Sequence, residues 1–284
     1  MTIKMKIFNM GIAAIQFSTS LFGKRNQYLA LSNIVEKISP IYTQSTRYGP
    51  INFYCFGEIP LYRAETLLTK EPETIEWIET FEKGDLLWDI GANVGCYSLY
   101  AAKKDISVMS FEPSAANFFL LQKNIEINKF DLKIQAFCLA FSDTSETGYL
   151  NMSSILMGGA INSFGNPIEN IELMGDSWKV QFKQGMISFS IDDFIRNYHV
   201  PVPNHIKIDV DGIEDKIISG AQKTLSDKKL KSVLVELDEN QVEYNKGIID
   251  ILEKSGLFLV SKKHSPMFDS GHFSSMYNCV FVRK

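Results

Sequence analysis

The sequence predicts an α/β fold with a seven-stranded, mostly parallel sheet and helices on both faces. From residue 85 onward, short β-branched runs alternate with segments whose apolar residues recur at helical intervals, which is typical of stacked βαβ units. With 284 residues, of which 45% are apolar and 22% charged, the chain is also long and apolar enough to bury such a core. The predicted strands are 86–90, 106–111, 133–137, 206–210, 232–237, 258–261 and 277–282. The predicted helices are 97–103, 115–128, 191–198, 214–225 and 242–255.

The N-terminal part of the chain falls outside this alternation. Residues 1–71 are predicted as an extension with a helix near 7–20 and a hairpin around 48–56, and residues 72–284 as the main domain, beginning with a helix at 72–81.

A long insertion, about 144–189, follows the third strand. It is rich in Gly, Asn and Ser, and loops of this length are usually lids or binding segments. Short strands are predicted within it at 168–173, 179–182 and 186–189. Its position after a strand puts it at the sheet edge where α/β proteins bind ligands.

Charge and cysteine content exclude several classes of protein. A net charge of −4 and a pI near 5.7 argue against a nucleic-acid partner, because affinity for phosphates needs a surplus of Lys and Arg. The four cysteines lie far apart without zinc spacing, so we expect reduced thiols in a cytoplasmic protein. The apolar N-terminal stretch is interrupted at Gln16 and Ser18, which predicts an amphipathic helix and no transmembrane segment.

The strongest chemical signal is a glycine-containing turn between the first strand and its helix, LLWDIGANVGCYS at 86–98. Gly91 and Gly95 allow a sharp turn and a close approach to a ligand, and Asn93 tolerates left-handed dihedrals. Asp89 ends the strand, where it can contact a cofactor or brace the loop. The turn predicts nucleotide-type cofactor binding by Asp89, Gly91, Ala92, Asn93 and Gly95.

Two further strand ends extend this predicted site. Glu112 follows the second strand, where a carboxylate accepts both hydroxyls of a ribose, and Pro113 helps to fix it. Ser142 and Asp143 follow the third strand, and Asp143 is a candidate for the adenine amino group or an ordinary turn residue. A nicotinamide cofactor fits less well, because Asn93 and Cys96 occupy the second and third glycine positions of the dinucleotide motif.

Acidic residues cluster at the end of the fourth strand, in HIKIDVDGIED. Asp209, with Asp211 second, is the candidate general base, and Glu214 is a candidate substrate contact. These acids with Glu236 could hold a divalent cation, although we assign no metal, and Asp211 and Glu214 could instead cap the following helix.

Other polar residues are weaker candidates. Asn162 and Ser163 of the insertion are predicted to contact the acceptor, although a merely solvated loop is the alternative. His205, His264 and His272 are each alternative bases.

Several stretches together resemble the FkbM family of methyltransferases. They are WDIGANVGCYSLYAA, SFEPSAANFFLLQKNIEIN, the SIDDF helix start, and IKIDVDGIEDKIISGAQKTL followed by VLVEL, and they span roughly 72–238. The resemblance implies a Rossmann-like class I methyltransferase fold, S-adenosyl-L-methionine as methyl donor, and an oxygen acceptor on a sugar or other small metabolite. It also implies cofactor roles for Gly91, Asn93, Gly95 and Glu112 and an active-site role for Asp209.

The sequence therefore predicts an S-adenosylmethionine-dependent O-methyltransferase of a small molecule or glycan. An NAD(P)-dependent oxidoreductase and a non-catalytic module of the same fold are the alternatives, because fold alone does not separate them. A homodimer is compatible with the sequence, which does not identify the acceptor.

Overall fold

The structure is a computed structural model that describes residues 3–165, 172–173, 176–177, 179–271 and 273–284. By contacts the chain divides into two compact units, 1–41 and 42–284. Residues 42–71, predicted as part of the extension, belong to the second unit. The reason is packing, since Ile51, Phe53, Ala64 and Leu67 are buried in its core.

The first unit consists of two helices, α1 (Ile3–Ser20) and α2 (Lys24–Ile38). Helix α1 matches the prediction. Helix α2 was not predicted, although Leu31, Ile34, Val35 and Ile38 recur at helical intervals. All of its residues are described, and none of them is buried. Among the described residues, no helix is both long and apolar enough to span a bilayer.

The second unit begins with a hairpin and two helices. Strands β1 (Ile41–Thr46) and β2 (Gly49–Tyr54) form the hairpin, and helices α3 (Glu58–Glu65) and α4 (Pro72–Glu79) follow. Helix α3 was not predicted. Backbone amides of β2 donate to Asn124 and Asn128 Oδ1, which fixes the hairpin on the main domain.

The main sheet contains the seven predicted strands. They are β3 (Leu86–Ile90), β4 (Ser107–Phe111), β5 (Ile134–Phe137), β12 (His205–Ile208), β13 (Ser232–Asp238), β14 (Leu257–Lys263) and β15 (Met276–Arg283). Their order is β14-β15-β13-β12-β3-β4-β5, and only the pairs made by β15 are antiparallel within the described sheet. This topology confirms the predicted class I methyltransferase fold.

Helices cover both faces of this sheet, because central strands such as β3 bury apolar side chains on both faces. In β3, Leu87 packs into one core and Trp88 into the other. The covering helices are α5 (Cys96–Lys103), α6 (Ala115–Asn128), α7 (Ile191–Tyr198), α8 (Glu214–Ser219), α9 (Gln222–Ser226) and α10 (Val242–Lys254). The prediction of one helix over 214–225 was wrong. The helix is interrupted around Gly220, where the backbone lies close to another segment. A Cβ at Gly220 would lie 2.4 Å from the carbonyl oxygen of Ser142.

The insertion forms a second sheet of order β6-β11-β7-β8. Its strands are β6 (Ala140–Phe141), β7 (Glu146–Met152), β8 (Asn162–Phe164) and β11 (Phe182–Phe189), and β9 (Glu172–Leu173) pairs separately with β10 (Asp176–Ser177). The predicted strand 186–189 lies inside β11. Of 179–182 only Phe182 is in a strand, and residues 168–171 lie outside the described residues.

Candidate active site

A cavity of about 300 Å³ opens at the carboxyl ends of β3, β4, β12 and β13. This is the edge where α/β sheets bind ligands. Seven predicted site residues line it: Gly91, Asn93, Glu112, Pro113, Asn162, Asp209 and Asp211. The fold therefore brings together residues that are up to 120 positions apart in the sequence.

The first wall is the glycine turn after β3. The amides of Gly91 and Ala92 both donate to the carbonyl oxygen of Phe111, at 2.9 and 3.1 Å, which joins the turn to β4. Gly91 has φ +85°, and a Cβ there would lie 1.9 Å from the carbonyl oxygen of Asp209. Glycine is thus required both for the dihedral and for the close approach of the β12 end.

Glu112 and Asn93 form the polar centre of this wall. Asn93 N donates to Glu112 Oε2 and Ser114 N donates to Oε1, each at 2.8 Å. Glu112 is 4% exposed, and its burial raises its pKa to about 7 despite these donors. Asn93 Oδ1 is buried and has no hydrogen-bond partner within the described part of the chain. A ligand with hydroxyl donors would satisfy these acceptors.

Asp89 and Gly95 support the turn from behind and are absent from the described lining of the cavity. Ser98 Oγ donates to Asp89 Oδ2 at 2.5 Å, so the carboxylate braces the strand end against α5. Burial raises the pKa of Asp89, which is 1% exposed. Gly95 adopts φ +89° before α5, and Ala92 lines a small side pocket that adjoins the cavity.

The side pocket contains three basic residues, Arg63, Lys70 and Lys207, of which the first two also line the main cavity. Arg63 Nε donates to the carbonyl oxygen of Gly158 at 2.7 Å. Lys70 pairs with Glu71 at 2.6 Å, and despite burial its ammonium group, with that of Lys207, lowers the pKa of Glu71.

Asp209 extends from the end of β12 into the cavity and pairs with Lys207 of the same strand at 2.5 Å. Lys207 is 1% exposed, and although burial opposes its charge, Asp209, Glu71 and Asp89 raise its pKa. The predicted base is therefore one member of an ion pair. Its neighbour Glu236 on β13 also lines the cavity.

The insertion covers the cavity through the backbone of residues 158–162. Asn162 N donates to Asp211 Oδ2 at 2.8 Å, so these two predicted residues are in direct contact. The carbonyl oxygen of Gly159 accepts from Asn93 Nδ2 at 2.9 Å and from Asn117 Nδ2 at 3.0 Å. Burial raises the pKa of Asp211 to about 6. The insertion thus contacts both the glycine turn and the acidic strand end.

The far wall comes from the C-terminal segment and combines aromatic and polar side chains. We call it the C-terminal wall; it comprises His264, Phe268, Phe273, Met276 and Asn278. His264 Nε2 contacts Asp269 at 3.2 Å, whereas its Nδ1 is buried without a partner in the described residues. Asn278 is 3% exposed, and its Oδ1 is likewise unpartnered there.

The structure does not bring the other predicted residues into the lining it describes. Ser142 Oγ donates to Asp143 Oδ1. Both residues lie beside the insertion sheet, since Ser142 N donates to the carbonyl oxygen of Phe189 in β11. Ser163 lies in β8, and Glu214 is buried, where its carboxylate accepts from Tyr244 and from the Gly212 amide.

Of the two remaining histidine candidates, the structure describes only His205. His205 begins β12, at the end of the strand away from the cavity, and contacts Asp85 and Ser232. The structure thus contradicts its candidacy as a base, and burial lowers its pKa to about 4. His272 lies outside the described residues. Among the described residues, no group of three or more acids, histidines or cysteines could hold a metal ion.

Sequence reasoning missed much of the lining, including Arg63, Lys70, Glu71, Asn117 and the apolar part of the C-terminal wall. Asn117 was detectable, because it follows Ser114, the N-cap of α6, near Glu112. The others lie in segments that only the tertiary fold brings to the sheet edge.

Comparison with known proteins identifies relatives. A family described as "Methyltransferase FkbM domain" matches residues 89–258. The hexuronic acid methyltransferase AglP of Haloferax volcanii is 26% identical over 162 residues, which cover 56% of this chain and 59% of AglP. The chain thus spans about three fifths of that relative.

Two solved structures are similar at the level of fold. The methyltransferase FkbM of Methylobacillus flagellatus KT has a TM-score of 0.47 at 16% identity, covering 71% of this chain and 44% of its own. The magnesium protoporphyrin IX methyltransferase ChlM of Synechocystis PCC 6803, solved with bound SAM, has a TM-score of 0.45 at 13% identity, covering 81% and 88%. The family match covers more than half of the sequence, and the chain belongs to the FkbM family of methyltransferases.

Proposed function

We propose that this protein transfers a methyl group from S-adenosylmethionine to a hydroxyl group of a sugar. One observation carries the proposal: a single cavity has Glu112 and the glycine turn on one side and the acidic ends of β12 and β13 on the other. The first set suits a nucleoside and the second a hydroxyl acceptor. The family match supports the reaction class.

The residues of the glycine turn fit this cofactor. In our proposal Glu112 accepts the ribose hydroxyls, the unpartnered Oδ1 of Asn93 accepts a further donor, and the Gly91–Ala92 backbone contacts the amino-acid portion. Pro113 borders the nucleoside, while Asp89 and Gly95 hold the turn. The cavity carries more acidic than basic residues, which favours a cationic ligand.

When bound, S-adenosylmethionine supplies a methyl group activated by a sulfonium cation. The protein's own task is to align an acceptor oxygen with that group and to exclude water. Asp209, held by Lys207, would orient the acceptor, and Asp211 would hold the insertion through the Asn162 amide. The buried Oδ1 of Asn162 would bind an acceptor hydroxyl.

Two observations support a sugar as the acceptor. AglP, the curated relative, is named for a hexuronic acid substrate. The C-terminal wall also pairs aromatic rings with amide and imidazole groups, a combination of apolar surface and a few polar groups that suits a small polar ligand.

The cofactor is tested by titration calorimetry with S-adenosylmethionine and with NAD. We expect binding of the first and none of the second. Saturable binding of NAD alone would contradict the proposal.

The reaction is tested by transfer of tritiated methyl to a panel that contains glucuronic acid, glucose and their p-nitrophenyl glycosides. We expect an alkali-stable methyl ether on at least one sugar, whereas an alkali-labile methyl ester would show transfer to a carboxylate. Binding of S-adenosylmethionine without transfer to any sugar would contradict the acceptor class and leave the cofactor assignment standing.

A further inference from the structure

We propose that Glu236 is the general base that accepts the proton of the acceptor hydroxyl. This inference rests on the proposed function and assigns the proton transfer to a residue other than Asp209. Three observations carry it: the position of Glu236 in the sheet, its lack of a hydrogen-bonding partner among the described residues, and the charges around it.

Glu236 lies beside the strand end where transfer is proposed. Val235 of β13 is in register with Ile208 of β12, so the next residues along these parallel strands, Glu236 and Asp209, are neighbours at the sheet edge. On the other side Glu236 is the cross-strand partner of Asn278. Asp209, Glu236 and Asn278 all line the cavity. An acceptor bound between the glycine turn and the C-terminal wall would therefore lie next to Glu236.

The other acids of the cavity are already engaged. Asp209 pairs with Lys207, Asp211 accepts from Asn162 N, and Glu112 accepts from Asn93 N. Glu71 pairs with Lys70, and Glu73 accepts from Asn278 Nδ2. The side chain of Glu236 makes no hydrogen bond or ion pair with any residue that the structure describes. Among the acids of the described lining, Glu236 is thus the one whose carboxylate is not already engaged by another residue, and it can accept from a bound hydroxyl.

The surroundings of Glu236 suit a group that takes up a proton. It faces Asp209 and Lys207 from β12, and Glu71 and Lys70 from the segment before α4. Burial, Asp209 and Glu71 raise its pKa well above that of an ordinary glutamate, and the two lysines oppose this only in part. A raised pKa makes the ionised carboxylate a stronger proton acceptor than an ordinary glutamate. A cation bound in the cavity would favour the ionised, proton-accepting form.

The step balances without any further reactant. The acceptor oxygen forms a bond to the methyl carbon as the bond from that carbon to sulfur breaks, and the sulfur keeps the electron pair. The hydroxyl proton passes to a carboxylate oxygen of Glu236 and then to solvent after the products leave. The products are a methyl ether and a neutral thioether.

The first test compares Glu236→Gln with the wild type on the sugar that the wild type methylates. We expect kcat to fall about 10²–10⁴-fold, with the Kd for S-adenosylmethionine changed less than about threefold (a change worth under about 0.7 kcal/mol). The wild-type kcat should rise about tenfold per pH unit on the acidic side, and the variant should lose this dependence. Glu239→Gln is the matched control. Glu239 directly follows β13, the strand that contains Glu236, but it is exposed and pairs with Lys262.

A second test needs no acceptor. S-adenosylmethionine carries a positive sulfonium and S-adenosylhomocysteine does not, so binding of the first should release a proton from Glu236. Calorimetry in two buffers of different ionisation enthalpy measures this release. We expect the wild type to release up to about one more proton than Glu236→Gln with the cation, and no difference between them with the neutral thioether.

The outcomes separate the two proposals. Wild-type binding and turnover with an unaltered Glu236→Gln variant would overturn the assignment of Glu236 but leave the proposed function intact. Loss of the acidic limb in His264→Asn and its retention in Glu236→Gln would transfer the role to His264. A wild type without sugar methylation would refute the proposed function, and this inference with it.

Discussion

Replacement of Gly91 by alanine should destabilise the whole protein, because the new Cβ would meet backbone atoms. At φ +85° a Cβ at this position lies 1.9 Å from the carbonyl oxygen of Asp209 and 3.3 Å from Val210 Cγ1. The turn is itself bonded to β4 through the carbonyl oxygen of Phe111, so it cannot retreat without breaking those hydrogen bonds. The two strand ends would have to separate.

The expected magnitude has two parts. The left-handed dihedral costs an alanine about 1–2 kcal/mol. Relief of the contact requires a shift of roughly 1.4 Å to reach normal van der Waals distance, and overpacking of this kind costs about 1–3 kcal/mol. We therefore expect Gly91→Ala to lower the free energy of unfolding by about 2–5 kcal/mol.

Urea denaturation followed by circular dichroism measures this change, with a constant m-value as the sign of two-state unfolding. Gly84→Ala is the matched control: Gly84 has φ +92°, but a Cβ there would have no atom within 4 Å, so this variant should lose only the dihedral part. If Gly91→Ala loses no more stability than Gly84→Ala, the contact with Asp209 does not constrain the turn and the reasoning fails.

Three further predictions concern the site and the acids around it. Glu112→Gln should weaken binding of S-adenosylmethionine about 10–100-fold by calorimetry, because it removes a charged acceptor, whereas the exposed Glu126→Gln should leave the affinity unchanged. Asp211→Ala should speed hydrogen exchange of the Asn162 amide about 10–100-fold, since a bond to a charged acceptor is lost, and unchanged exchange would show that the insertion is held by other contacts. Burial raises the pKa of Glu214 from 4.5 to about 7, so the folded state binds this proton more tightly and stability should fall as pH rises from 4.5 to 7, by about 3 kcal/mol. Urea titrations at pH 5 and pH 8 should show a smaller fall in Glu214→Gln, and equal falls in both proteins would refute the assignment.

Local pattern was sufficient to predict the seven strands of the main sheet and most of the helices that cover it. The strands β3, β4 and β13 were predicted from mostly apolar runs, because a parallel strand that is covered on both faces is largely apolar. Helices α6 and α7 begin after Ser114 and Ser190, whose side chains accept from the first turn. Strand β7 was missed because only its last residues, from Leu150, are buried.

The site was predictable where polar residues lie at the carboxyl ends of predicted strands. Asn93, Glu112 and Asp209 each sit at or just beyond the carboxyl end of a strand, so the topology brings them together. Arg63 and Lys70 reach the same place from outside the sheet, a proximity that no local pattern encodes. Asp143 also follows a strand, but that strand, β6, pairs with β11 of the insertion sheet. Asp143 therefore lies beside the insertion sheet and not in the described lining of the cavity.

The C-terminal wall has a consequence for how relatives should be compared. Phe268, Phe273, Met276 and Asn278 all lie beyond residue 258, where the shared family region ends, whereas the glycine turn and Glu112 lie inside it. Under the proposed function, two proteins matched over that region can therefore bind the methyl donor alike and still present different surfaces to the molecule that receives it. Exchange of the last 26 residues between such relatives is the natural way to move acceptor preference from one to another.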